Sequence, residues 1–399
     1  MKTREVKLGE VANVKGGKRI PKGIGLINIP NGHPYIRVRD LNNKRLLELD
    51  NSYEYVDNET QKVISKYTVK TGDVVLSIVG TIGLVAIVGR TLDGANLTEN
   101  CVKLSSFHGV NRDFLYYYLR SDCGQQEIRC GTVGAVQAKL PIKNIQNIAI
   151  NLPDYTTQER IASLLLSIDR KIELNQKIND NLEQQAATYF QELFINNANP
   201  MWQISTISDL GTVVGGSTPS KTKPEYYTNN GIAWITPKDL SINKSKFISH
   251  GENDITELGL KNSSATVMPK GTVLFSSRAP IGYIAIASNE VTTNQGFKSV
   301  IPYSEIGTAF VYFFLKHSLP VIESAASGST FKEISGSAMK NIPAIIPDRN
   351  TLDQFNSFCA PIFAQQKILE EQNHSLAMLR DSLLPKLMSG AIDIASIQL

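Results

Sequence analysis

The chain states one pattern twice. Gly16-Gly17 returns as Gly215-Gly216, Asp40-Leu41 as Asp239-Leu240, Gly72 as Gly271 and Ile82-Gly83 as Ile281-Gly282, each 199 residues later. The offset then drifts. Thr98 and Lys103 match Thr293 and Lys298 at 195, Lys143-Asn144-Ile145 matches Lys340-Asn341-Ile342 at 197, and Pro153 and Ile168 match Pro347 and Ile362 at 194. Two similar units in one chain can form a pseudo-two-fold object that reads two sites held at a fixed spacing. A duplicated domain with no such use explains the repetition alone about as well.

At 399 residues the chain is too long for one compact core. The repeat divides it into a first unit over 1–152, a first long helix over 153–199, a second unit over 200–346 and a second long helix with a tail over 347–399. In the first unit Tyr35–Arg39, Val74–Val79 and Leu84–Val88 read as strands, being β-branched or apolar and bounded by Gly or Asp. Ala233–Ile235, Val273–Ser277 and Tyr283–Ala287 are their counterparts. Short helices follow at Arg112–Ser121 and Thr308–His317. Strands this short, without βαβ alternation, exclude a doubly wound sheet and point to an α+β fold.

The long helices carry the plainest signal. The first is expected from about Thr156, where Thr156-x-x-Glu159 has the form of a capping box, to about Phe194, before the turn residues Asn196–Pro200. About 36 residues at ~1.5 Å each make a rod of roughly 54 Å. The second is expected from about Leu352 to Met388, with Phe355, Ile362, Leu369, Leu376 and Leu383 repeating every seven residues. A mixed companion seam is read at Phe358, Gln365, Gln372, Leu379 and Lys386. The same seam in the first helix holds Ile161, Ile168, Asn175, Leu182 and Tyr189. A narrow seam with polar interruptions predicts an antiparallel intramolecular coiled coil, against two helices each packed on its own domain. Pro361 should kink the second helix or delay its start.

Charge is partitioned along the chain. Residues 1–150 carry +7, 151–199 carry −3, 200–346 carry +2 and 347–399 carry −2. Basic units with acidic helices are expected if the units face a polyanion and the helices do not, although a solvated surface explains the second unit's +2 equally well. No uncharged apolar run approaches the roughly 18–20 residues of a membrane span, and the N-terminus leads into no apolar signal core, so a cytoplasmic location is the default. Cys101, Cys123, Cys130 and Cys359 form no CxxC pair and read as reduced thiols. The histidines are scattered, and no nucleotide-binding loop or metal-ligand spacing occurs, so enzyme activity is unsupported.

Candidate contact residues lie in matched loops. The first unit offers Lys18 and Arg19 after Gly16-Gly17, then Arg37 and Arg39. The second offers Ser217, Thr218 and Lys221 after Gly215-Gly216, then Lys238, Arg278, Thr330 and Lys332. Glycine-rich turns with hydroxyls and cations are what phosphate contacts use, and Arg can also grip guanine. For Lys221, Arg278 and Lys332 a solvated surface role competes evenly.

The chain resembles the specificity subunit of type I restriction–modification enzymes over essentially its whole length. Trp234-Ile235-Thr236-Pro237-Lys238-Asp239-Leu240, Asn294-Gln295-Gly296-Phe297, Ser327-Gly328-Ser329-Thr330-Phe331-Lys332, Gln158-Glu159-Arg160-Ile161-Ala162, Leu384-Pro385-Lys386-Leu387 and Ser389-Gly390 carry the resemblance. It implies two target-recognition domains, each reading one half of a split, asymmetric target in double-stranded DNA, with the paired helices as spacer. It implies docking of two modification subunits that carry S-adenosylmethionine and methylate adenine, and recruitment of restriction subunits that use ATP and Mg. It implies no cofactor, metal or chemistry in this chain. The first unit departs from the pattern, with Tyr35-Ile36-Arg37-Val38-Arg39-Asp40 in place of the tryptophan motif and Glu99-Asn100-Cys101 in place of Asn294-Gln295-Gly296. Two other readings stay open: a self-sufficient nuclease or methyltransferase, and a helix-paired scaffold with no role on DNA.

Overall fold

The computed structural model describes residues 3–41, 44–134, 136–328 and 332–394. The chain divides into two compact units, Met1–Lys171 with Ser375–Leu399, and Ile172–His374. Each unit takes part of both long helices, so these units do not follow the four stretches drawn from the repeat.

In the first unit a five-stranded sheet runs in the order Asn13–Gly16, Cys101–Ser105, Val74–Ser77, Val85–Val88, Leu46–Leu47. The pairings are antiparallel except the last, which is parallel. Val74–Ser77 and Val85–Val88 are buried at every position, which is why they read as continuous apolar runs and not as alternation. Asn111 caps the helix Arg112–Arg120 by accepting the Asp113 and Phe114 N–H groups, and that helix buries Phe114 through Leu119. A separate strand pair, Thr3–Lys7 with Ala149–Pro153, closes the unit beside the start of the first long helix.

The second unit repeats the five-stranded sheet strand for strand, while its smaller sheet has four strands where the first unit's has two. Its five-stranded sheet runs Gly211–Gly215, Lys298–Pro302, Val273–Ser277, Ile281–Ala287, Phe247–Ile248, again with only the last pairing parallel. The helix Thr308–His317 takes the place of Arg112–Arg120. Phe190, Phe194, Phe310, Phe313 and Phe355 meet edge-on or tilted with centroids 4.8–6.0 Å apart. Each such ring, once buried, contributes about 1.5–3 kcal/mol.

One expected strand is shorter than its sequence suggested. Tyr35–Arg39 forms a strand only at Tyr35–Ile36, because the Asp40 carboxylate accepts the Arg37 N–H at 2.7 Å and turns Val38–Leu41 into a 3-10 helix. The second unit turns at the equivalent point. There Thr236 and Asp239 form a reciprocal capping box on the helix Pro237–Ile242.

The long helices span Tyr155–Gln191, followed by a π-helical turn over Glu192–Asn196, and Arg349–Ser389. Their caps differ from the expected ones. Asp154 accepts the Thr157 N–H at 3.0 Å, and Asp348 accepts the Thr351 N–H at 3.1 Å, so each helix starts just after an aspartate and not at Thr156 or Leu352. Pro361 does not interrupt the second helix, nor do the residues before it form a separate turn.

Within each unit the two helices pair. In the second unit Tyr189 meets Gln354, Asn179 meets Gln366 and Asn175 meets Asn373, an antiparallel register. Ile362 and Leu369 are buried and Leu182 is partly buried on that core. In the first unit Ile161 and Ile168 are buried, Leu376 is half-buried, and Leu383 packs against the core that holds Leu387. The companion seam is displaced from its expected place. Phe358 and Leu379 are exposed, whereas Cys359, Gln366 and Leu387 are buried, so the second seam lies four residues after the first and not three. Among the described residues no helix is long and apolar enough to cross a membrane, and no cluster of His, Cys, Asp and Glu could hold a metal ion.

Candidate nucleic-acid interface

The glycine pair of each unit marks a backbone crossing. In the first unit Gly17 N–H donates to Cys101 O at 3.0 Å and Lys18 N–H to Leu97 O at 2.8 Å. A Cβ on Gly17 would lie 2.0 Å from Thr98 O, so only glycine lets the chain lie this close. The Tyr35 hydroxyl, on a side chain only 3% exposed, donates to Lys18 O at 2.8 Å and braces the crossing from below. Lys18 and Arg19 are thereby held at the surface.

The second unit builds the same crossing with different side chains. Ser217 N–H donates to Thr293 O at 2.9 Å, and a Cβ on Gly216 would lie 2.1 Å from Asn294 O. Trp234 Nε1 donates to Ser217 O at 3.0 Å, the role Tyr35 has in the first unit. Thr218 is bonded through its hydroxyl to Gln295 Oε1. Ser277 N–H donates to Gly296 O at 2.8 Å, which brings the Arg278 loop beside the same Asn294–Gly296 segment.

Arg19, Arg37 and Arg39 share a shallow hollow of ≈ 460 Å³ with Tyr35, Thr98 and Glu99. Carboxylates hold these cations in place. Arg19 Nε pairs with Glu99 at 2.6 Å, Arg37 with Glu54, and Arg39 Nη2 with Glu54 at 2.6 Å. Arg37 Nη2 is buried with no hydrogen-bond partner, a donor left for something else to satisfy. Burial pushes the Asp40 carboxyl up to about 6, against the pull of Arg39 and Lys44. Burial is the largest influence on Glu99 and pushes it upward, but the hydrogen bonds from Arg19, its own backbone N–H and Thr98, with the charge of Arg19, together outweigh it and hold Glu99 below the usual range.

The other candidates are dispersed. Lys238 pairs with Glu252 at 2.6 Å, and Arg278 with Glu333 at 3.3 Å. Lys221 and Lys332 are exposed and make no ion pair among the described residues. Thr330 lies outside the described residues. The sequence reading missed the acidic partners Glu54, Glu99, Glu252 and Glu333. No signal in the chain marks them, since they lie 14 to 80 residues from their cations.

A family model described as the type I restriction modification DNA specificity domain matches this chain twice, at residues 2–184 and 199–373. The specificity subunit of the type I restriction enzyme MjaIX of Methanocaldococcus jannaschii is 43% identical over 162 residues, covering 40% of this chain and 37% of that protein. The HindI specificity subunit of Haemophilus influenzae is 24% identical over 341 residues, covering 67% of this chain and 73% of that protein. The crystal structure of the type I restriction–modification S subunit from M. genitalium superposes with a TM-score of 0.59 at 16% identity, over 97% of this chain and 96% of that one. At that identity the likeness is one of fold.

Proposed function

The chain belongs to the family of type I restriction–modification DNA specificity proteins, and we propose that it is the sequence-reading subunit of such a system. Residues 1–152 and 200–346 are the two target-recognition domains, each reading one half of a split target in double-stranded DNA. Because the two differ at their crossings, Lys18-Arg19 against Ser217-Thr218, the halves differ too and the target is asymmetric. The stretches 153–199 and 347–399 space the halves. The first long helix has 37 residues, which at ~1.5 Å per residue exceeds the ~34–36 Å of one DNA turn. Two modification subunits carrying S-adenosylmethionine dock on this chain and methylate adenine. Restriction subunits using ATP and Mg join them, in the cytoplasm.

The single observation that carries this reading is the repeated crossing, aromatic-braced and glycine-dependent, that presents cations and hydroxyls at the same point of each unit. Such loops supply phosphate contacts that set register and base-edge contacts that set sequence. The chain contributes recognition, and its partners contribute the chemistry. The test is DNA binding by the chain alone and by its complex with a modification subunit. Weak binding alone and tight, sequence-specific binding together are expected. Equal specificity from the isolated chain contradicts the reading.

A further inference from the structure

A second hollow adjoins the arginine-lined one, and the repeat does not account for it. It encloses ≈ 250 Å³ and is walled by Lys15, Lys66, Tyr67, Thr68, Leu97 and Lys103. Lys18 Nζ stands over the Tyr67 ring, 5.7 Å from its centroid. Lys103 is engaged within the fold. Its Nζ donates to Thr68 O at 2.7 Å and lies 3.3 Å from Asp73, which pins the Lys66–Thr68 segment. Lys15, Lys18 and Lys66 are exposed and make no ion pair among the described residues. Lys15 and Lys66 thus line the concavity without an ion-pair partner among the described residues, and Lys18 stands over Tyr67 in its wall, so cationic charge gathers there.

The second unit does not repeat the cations of this hollow. At the 199-residue offset Lys15 becomes Val214, Lys18 becomes Ser217, Lys66 becomes Ala265 and Tyr67 becomes Thr266. Only Lys103 is kept, as Lys298, and that lysine lies 3.8 Å from Glu333. This difference accounts for three of the charges that separate the first unit's +7 from the second's +2.

The ligand chemistry follows from size, charge and position. The volume falls below the ~300–1,000 Å³ of small-molecule pockets, and compact ammonium groups suit a phosphate as point charges. Position favours a polymer over a free ion. Leu97 walls this hollow and the next residue, Thr98, walls the arginine hollow, so the two flank one crossing. A polymer of phosphates suits two hollows set at one crossing better than a single free ion does.

We propose that Lys15, Lys18 and Lys66 hold a backbone phosphate of the bound duplex, which makes the first unit the electrostatic anchor of the DNA complex. The inference rests on the DNA-reading function above. It adds that the two units share the work unequally, the second relying on fewer phosphates.

The test uses the complex of the full chain with its modification subunit. DNA binding is measured by fluorescence anisotropy across a salt series, for wild type, Lys15→Gln/Lys66→Gln and the control Lys62→Gln, whose lysine pairs with Glu59. The double variant should bind every sequence more weakly and flatten the log–log salt slope by about 0.9, the increment for one neutralised phosphate. The methylated motif should stay unchanged, and Lys62→Gln should match wild type. An unchanged slope in the double variant, with wild type binding normally, overturns this inference alone. Failure of the wild-type complex to bind DNA overturns the DNA reading together with it. Inorganic phosphate at matched ionic strength separates the two sources of this chemistry. If inorganic phosphate binds the wild-type complex through Lys15 and Lys66 without weakening its hold on DNA, the hollow belongs to a free anion and the proposal falls.

Discussion

The Tyr35 hydroxyl donates a 2.8 Å hydrogen bond to the Lys18 carbonyl. This side chain braces the segment that carries Lys18 and Arg19 outward, and Trp234 holds Ser217 in the same way in the second unit. Tyr35→Phe keeps the ring and removes the bond, worth about 0.5–1.5 kcal/mol. DNA affinity of the assembled complex should drop by up to about tenfold, with the loss confined to the half of the target under the first unit. Competition binding with substitutions in either half of the target measures this, and an even loss across both halves would refute it.

The arginine hollow should respond to pH through Asp40. Burial holds that carboxyl near 6, above its ordinary 3.8. Between about pH 7 and about pH 5 it takes up a proton, and Arg37 and Arg39 lose a counter-charge. DNA affinity should rise over that interval. The stability Asp40 contributes has the matching sign: it is fully present below about pH 3.8 and is lost as pH climbs through about 6. Asp40→Asn keeps an acceptor for the Arg37 N–H and should abolish this part of the pH dependence of binding. An unaltered binding profile in that variant excludes Asp40 as its source.

Glu333 restrains two cations at once, Arg278 at 3.3 Å and Lys298 at 3.8 Å. Glu333→Gln releases both. Nonspecific DNA binding by the complex should strengthen and its salt slope should steepen. A weaker or unchanged slope would show that neither cation reaches phosphate.

The buried lysine of the second unit ties its sheet to both long helices. Lys246 pairs with Glu183 on the first helix, donates to Gln366 Oε1 on the second at 2.6 Å, and sits 4.0 Å from the Phe363 ring centroid. Glu370 accepts the backbone N–H groups of Lys246 and Phe247. Burial lowers the lysine's pKa and Glu183 opposes it. Lys246→Met leaves Glu183 with Lys316 as its remaining cation, so the loss should sit near the low end of the range for broken buried pairs, about 3 kcal/mol. Urea unfolding of the complex reads it directly. A midpoint within error of wild type would mean the lysine contributes packing alone.

Much of this architecture was legible in the chain because duplication fixed the order of elements and the seven-residue repeat fixed the helices. Phe355, Ile362 and Leu369 line up by spacing alone, and the buried runs Val74–Ser77 and Val273–Ser277 are plain in composition. What failed to show was set by contacts remote in sequence or by competing local bonds. Asp40 curls Val38–Leu41 out of the strand that β propensity favours. Pro361 lies inside the second long helix without ending it, although local propensity disfavours proline there. The companion seam was misplaced by one residue because Phe358 is more apolar than Cys359, yet the cysteine faces inward. The acidic partners of the arginines, and the Lys15–Lys66 hollow, depend on how strands from distant parts of the first unit meet.

The central claim is that this chain alone dictates a split, asymmetric DNA target. The most direct measurement is to express it with its modification subunit in a host lacking such a system and to map N6-methyladenine across the genome. One new bipartite motif with unlike halves and a fixed gap is expected, of which only one half changes when Ser217, Thr218 and Lys221 are substituted. A stable complex that leaves no new methylation, or a motif indifferent to those residues, would contradict it.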